Sequence, residues 1–366
     1  MNAVSSLPRE RLLLRCLRDP GTLGRLDGPQ WEQLLRQAAP ERLDGRIAVL
    51  AASTPPSSPR PQWLVDRLTG IDALSGESTR ALLWELNRIR RAFSGYDLPV
   101  IALKGAAYAA SRLPLAVGRP SADVDILVPH DRLEDATAAL LEQGWEFLPL
   151  DAYDERYYRE WMHELPPMYH QEREMALDVH HTILPRTGRV QPDANRLLVR
   201  AIPSAEADVL TLCPSHVALH AAAHLFQDGE VAGSLRDVVD IDALLRHFAA
   251  TDGFWDDFAA EAEALGLERS AYYAVTASIR LFQTPVPDDV RRHVTGWGPG
   301  PVVDAMMARL IDATLTRGQD TSAAAEWALY LRSHWLRMPP LLLIRHLAVK
   351  SARALKIGGN RGADPR

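Results

Sequence analysis

Two aspartates one residue apart, Asp123 and Asp125, stand ahead of the apolar run Ile126, Leu127 and Val128. Side chains along a strand alternate faces, so both carboxylates project from the same side, close together, at the mouth of a buried strand. Two like charges so placed repel, and partial burial worsens the pair unless a cation lies between them. A divalent ion answers the problem most simply. Mg²⁺ prefers hard oxygen ligands and commonly takes one or two carboxylates plus substrate phosphates, where it polarises a phosphoryl group. Asp178, within 175-MALDVHH-181, offers a third carboxylate in a strand of similar character. A D-x-D before an apolar run is common by chance, so its setting carries the weight.

The elements that must position these acids change along the chain. Residues 1 to 95 are expected to be helical, with 31-WEQLLRQAA-39, a Pro/Ser break over 53–61, and a helix on which Leu82, Leu83, Leu86, Ile89 and Phe93 share one face before a stop at Ser94 and Gly95. The period then shortens. Strands are expected at 98-LPVIALK-104, 122-ADVDILV-128, WEFLPL, PPMYHQ and MALDVHHTI, with a small-residue helix at GAAYAASRL, a capped amphipathic helix at DRLEDATAALLEQG that stops at Gly144, and a helix at DERYYREWMHE. From about 191 onward the pattern is helical again. The expected fold is α+β: N-terminal helices (1–95), a small mixed-sheet core (96–190), a C-terminal helical domain (191–356) and a polar, Gly-rich tail (357–366).

Bulk properties narrow the function. The chain has 366 residues, 47% hydrophobic and 24% charged, the balance of an ordinary soluble globular protein. A net charge of -6 argues against a general nucleic-acid coat or a membrane-surface protein, either of which would carry a basic excess. Two cysteines, Cys16 and Cys213, make no disulfide framework and lack metal-ligand spacing, which fits a reducing cytoplasm. The apolar patch near the N-terminus is broken by Arg11, Arg15 and Arg18, so no secretory signal is read, and the longest apolar run, PPLLLI at 339–344, is far too short to span a membrane. No G-x-S-x-G elbow, Walker A loop or G-x-G-x-x-G fingerprint is present.

The ordered set Leu103-Lys104-Gly105, Arg119, Asp123-Val124-Asp125-Ile126-Leu127-Val128 and Asp178-Val179-His180 resembles the nucleotidyltransferase superfamily related to DNA polymerase β. It is closer to its group of uncharacterised bacterial nucleotidyltransferases, with L-K-G, R-x-x-x-D-h-D-h-L-V and D-h-H. The resemblance covers roughly residues 80 to 250. It implies that Asp123 and Asp125 bind catalytic Mg²⁺ or Mn²⁺, and that Asp178 completes the trio as base or metal ligand. Gly105 would let backbone amides approach the triphosphate of an NTP, and Lys104 and Arg119 are candidate phosphate contacts, against the alternative of plain surface charge. The Gly-Ser or Gly-Gly of the wider superfamily is replaced by Lys104-Gly105-Ala106, which leaves the usual hydroxyl contact to phosphate unassigned.

Several candidates remain. His180 should share the face of Asp178, either orienting a carboxylate or touching substrate, or simply bonded at a strand end; His181 points the other way. His216, His220 and His224 fall at four-residue steps on a helix capped by Ser215 or its neighbours. Three imidazoles on a face can bind zinc, but a stripe packed against the transferase core, with His220 or His224 facing nucleotide or acceptor, is the favoured reading. Asp237 either faces the cleft or pairs with Arg236 on a helix surface. The basic segment Arg345, Lys350, Arg353 and Lys356 suits an RNA acceptor or, more commonly, a solvated face. The expected protein is a cytoplasmic, metal-dependent nucleotidyltransferase with a small-molecule or peptide acceptor. RNA or protein acceptors come second, and a non-catalytic nucleotide-binding module is disfavoured by the intact acids.

Overall fold

The structure, a computed structural model, describes residues 11–228, 231, 233–315 and 322–345. Seven short strands make one mixed sheet: β1 (Ile101–Ala102), β2 (Asp123–Leu127), β3 (Glu146–Phe147), β4 (Met168–His170), β5 (Met175–His180), β6 (Ile202–Pro203) and β7 (Leu210–Thr211). Their order is β3-β4-β5-β2-β1-β7-β6, with β2 parallel to β5 and β1 parallel to β7. Helices α1 (Leu12–Arg18), α2 (Gly28–Ala38), α3 (Asp44–Ala52) and α4 (Gln62–Ser94) precede the sheet. Among the strands lie α5 (Lys104–Ala110), α6 (Leu133–Glu142), α7 (Ala152–Trp161) and α8 (Ala194–Val199). After them come α9 (Pro214–Ala223), α10 (Leu235–Phe248), α11 (Phe254–Ala264), α12 (Glu268–Phe282), α13 (Asp288–Gly296), α14 (Pro301–Leu315) and α15 (Ala323–Arg337). The fold is α+β.

One continuous core joins these layers. Helix α4 turns Leu82, Leu86, Ile89 and Phe93 inward, leaves Leu83 half-buried, and packs on α5, α6 and β2. Helix α9 packs on α5, α10, α11 and α12, which ties the C-terminal helices to the sheet. In β2 only Asp123 is exposed, while Val124 through Leu127 are buried. Among the described residues no helix is long and apolar enough to cross a membrane.

Several local expectations are corrected. The strands read at 98–104 and at WEFLPL shrink to two residues each. The chain is not purely helical after 191: β6 and β7 form a hairpin whose second strand lies parallel to β1. The helix at DERYYREWMHE ends at Trp161, and residues 163–165 run beside β5, with Leu165 N bonded to Val179 O at 2.9 Å. Helix α6 has no side-chain cap and is entered by a 3-10 turn, His130–Arg132; Gly144 beyond it sits at φ 83°, where its missing side chain clears His170. Ser215 does not cap α9, since Cys213 holds that position without a side-chain bond and Ser215 Oγ donates instead to Asp257. Of the basic segment, Lys350, Arg353 and Lys356 lie outside the described residues, as does the tail at 357–366.

Candidate active site

The parallel pairing of β2 with β5 sets Asp125 opposite Asp178, Asp123 opposite Ala176 and Leu127 opposite His180. Alternation then puts Asp123, Asp125, Asp178 and His180 on one face of the sheet. Asp125 is buried, and its Oδ1 receives Lys104 Nζ at 2.8 Å and His180 Nε2 at 3.0 Å. Burial alone would raise this carboxyl; Lys104 and His180 outweigh it and hold it well below the usual carboxylate range. Asp123 and Asp178 have no such partner among the described residues. Burial and then the Asp125 charge push both upward, Asp178 to about 6.

Lys104 opens α5 at φ 43°, a left-handed conformation that costs a residue with a side chain about 1–2 kcal/mol. Burial opposes its charge, but Asp125, with Glu164 and Asp178 further off, keeps it protonated. At Gly105 a Cβ would overlap Ser121 Oγ and stand 2.6 Å from Arg119 Nη1, so the space that the glycine frees is filled by these two side chains. Arg119 donates to Asp240 Oδ2 at 2.6 Å and to Ser121 Oγ at 3.0 Å, and its guanidinium lies 5.1 Å from the centre of the buried Tyr108 ring. Ser121 thus places a hydroxyl beside Gly105, where the sequence left that role unassigned.

A cavity of about 240 Å³ opens here, lined by Lys104, Gly105, Arg119, Asp123 and Asp125 on the sheet side and by His224, Arg236, Asp237 and Asp240 on the helical side. Asp237 therefore faces the cavity, with its carboxyl raised by burial and then by Asp240. The histidine stripe is divided. His216 Nε2 bonds Glu261 at 2.7 Å, away from the cavity, whereas His224, at the start of a π-helical turn (His224–Asp228), lines it and is lowered to about 3 by burial and then Lys104. His220 is buried beside His224, their ring centres 6.5 Å apart, and is likewise held neutral. The three histidines do not converge on a zinc site. His181 stacks edge-on against His130.

Sequence reasoning missed Glu164, His163, Ser121, Tyr108, Asp240 and the arginines of the helical side. Glu164 bridges to His180 in the sheet, and its carboxylate lies 3.5 Å from His180 Nε2. Among the described residues, the group whose ligand atoms all lie within 4.8 Å of one another is His163, Glu164 and His180; the three aspartates are not gathered as tightly. Only Pro166-Pro167 hinted at this arrangement, because the residue before a proline is pushed to extended backbone and a helix through Glu164 was therefore unfavourable.

The aspartates nevertheless fit a divalent ion. Both contacts to Asp125 fall on Oδ1, leaving Oδ2 without a protein partner among the described residues, and at Asp123 and Asp178 burial and the Asp125 charge outweigh the cations nearby. Acids on adjacent parallel strands, beside a cavity that also carries Lys104, Arg42, Arg119 and Arg236, suit a phosphorylated substrate held with a cation. The profile of one protein family, described as an uncharacterised nucleotidyltransferase, matches residues 27–283, and the chain belongs to that family. Membership makes it a transferase, with nucleotidyl transfer as its general activity and a nucleoside triphosphate as substrate. No curated protein and no solved structure matches the chain.

Proposed function

We propose that the protein transfers the NMP part of an NTP to an acceptor hydroxyl or phosphate in a metal-dependent reaction, on a site related to that of the DNA polymerase β-like superfamily. The observation that carries this reading is the pairing of Asp125 with Asp178 across β2 and β5, one step from the unpartnered Asp123. Asp123, Asp125 and Asp178 would hold Mg²⁺ or Mn²⁺, which when bound supplies charge neutralisation at the transferring phosphoryl group. Asp178 takes the acceptor proton as the acceptor oxygen attacks the α-phosphorus. The bond to the bridging oxygen breaks and pyrophosphate leaves. Lys104 and Arg119 orient the phosphates, His180 fixes Asp125, and His224 and Asp237 bound the nucleotide space, with His220 packed behind. The core at 96–190 supplies the acids, and the region after 191, through His224 and α10, the opposite wall.

A small molecule or peptide of a natural-product or surface-polymer pathway, modified in the cytoplasm, is the favoured acceptor. An RNA or protein acceptor is the second. The test is incubation with α-labelled ATP, GTP, CTP and UTP, Mg²⁺ or Mn²⁺, and an extract of the source organism. Label should move into an acceptor, and Asp123→Asn or Asp125→Asn should slow transfer by about a hundredfold or more. Undiminished transfer in both variants would overturn the assignment.

A further inference from the structure

Two arginines that line the cavity make no ion pair among the described residues, unlike its other cations. Arg119 is matched by Asp240, and Lys104 by Asp125. Arg236, on α10, makes no ion pair among the described residues; its one bond is from Nη1 to the carbonyl of Pro120, at 3.3 Å, and its Nε is sealed from solvent without a partner. Arg42, from the link between α2 and α3, lines the same cavity with an exposed side chain, held on a backbone at φ 53°. Burial depresses the Arg236 guanidinium, Arg119 and Arg42 add to the effect, and Asp240 and Asp237 on the same wall oppose it without forming an ion pair with Arg236. Three guanidinium groups that repel one another around a polar cavity are stabilised by an anion of high charge.

The position says which anion. Asp123 and Asp125 line this cavity but Asp178 does not, so the cavity belongs to the donor and the acceptor lies outside it. The part of the donor beyond the acids is the leaving part. We propose that Arg42 and Arg236 form the subsite for the β- and γ-phosphates of the nucleoside triphosphate, the group that departs as pyrophosphate. This rests on the nucleotidyl-transfer reading and adds to it a clamp that joins the N-terminal helices to α10. Arg42 contributes an exposed and adjustable fork, Arg236 a fixed and half-buried one. Both hold the two terminal phosphates before transfer, and both stabilise the charge that accumulates on the leaving oxygen as the bond breaks. The subsite contains nothing that reads a base, so it should serve any NTP equally and discriminate by phosphate number.

The test uses the full-length protein and inorganic tripolyphosphate with Mg²⁺, which removes the base from the question. Calorimetry should find binding to the wild type, weakened about tenfold or more in Arg42→Ala and in Arg236→Ala, with Arg236→Lys between them. Affinity for NMPs should stay within about twofold of wild type in every variant, a split that a merely structural arginine would not produce. Should Arg236→Ala fail to fold, Arg42→Ala and Arg236→Lys decide, since the first lies on an exposed side chain and the second keeps the charge. Wild-type affinity for tripolyphosphate in folded variants overturns the arginine subsite while leaving nucleotidyl transfer intact. A wild type that binds neither tripolyphosphate nor any nucleotide removes both.

Discussion

Lys104 Nζ and Asp125 Oδ1 stand 2.8 Å apart, the ammonium a quarter exposed and the carboxylate almost sealed. A buried carboxylate demands a cation, and here the chain supplies one from the strained first residue of α5. Lys104→Met should cost the metal-free protein about 3 kcal/mol, the penalty of leaving a buried charge with only His180. Thermal melts check it. Mg²⁺ or Mn²⁺ should recover part of the loss by taking over the neutralisation, and a variant as stable as wild type without metal would show that Asp125 is not held by this pair.

Gly105 is predicted to be intolerant for a packing reason. In Gly105→Ala the new methyl collides with Ser121 Oγ and Arg119 Nη1, breaking the bond between them at a cost of about 1–3 kcal/mol. KM for NTP should rise more than kcat falls. Adding Ser121→Ala removes the worst overlap, so the double variant should be more stable than the sum of the two single effects. Simple additivity would argue against this contact.

Asp178 gives the metal-free protein a pH dependence. Its folded value of about 6 lies above the ordinary 3.8, pushed there by burial and then Asp125. The native state therefore holds this proton more tightly, and the stability it contributes is complete below about 4 and lost as pH rises through about 6. Melting temperature should decline across that window in wild type and less so in Asp178→Asn. Parallel curves would contradict it.

A second polar cluster should fix the opposite limb. Glu261 is held down at about 2, first by its bond from Arg196 and further by His216, with Arg200 also in contact. Its contribution is present above about 4.5 and lost as pH falls through about 2. His216 is raised because, although burial opposes its charge, bonds to Cys213 and Glu261 prevail, so its share is present below about 6.5 and fades at higher pH. Glu261→Gln should cost about 2 kcal/mol near neutrality, read by denaturant unfolding, and should flatten the acid limb.

The acids were legible because their information is local. A D-x-D pair fixes its own face, and a D-x-H pair in a second apolar run does the same, so both strands could be read before their pairing was known. What sequence could not supply was adjacency between distant segments. Asp240 reaches Arg119 across 121 positions, and Glu164 reaches His180 through a bridge outside any regular strand. Strands of two residues, such as β6 and β7, carry too few side chains to show a period, and owe their form to each other and to β1 beside β7. The histidine stripe was legible only in part: helical spacing shared by His216, His220 and His224 says nothing of Glu261, which draws His216 away.

Three consecutive residues just ahead of β2 are each fastened elsewhere. Arg119 is tied to Asp240 and Pro120 to Arg236, both on α10, while Ser121 exchanges two bonds with Ser78 of α4, at 2.9 and 3.1 Å. The carboxylate strand is thereby suspended between a helix that precedes the sheet and one that follows it. A shortened protein cut to the sheet alone would keep every acid and lose the rigging that aims them.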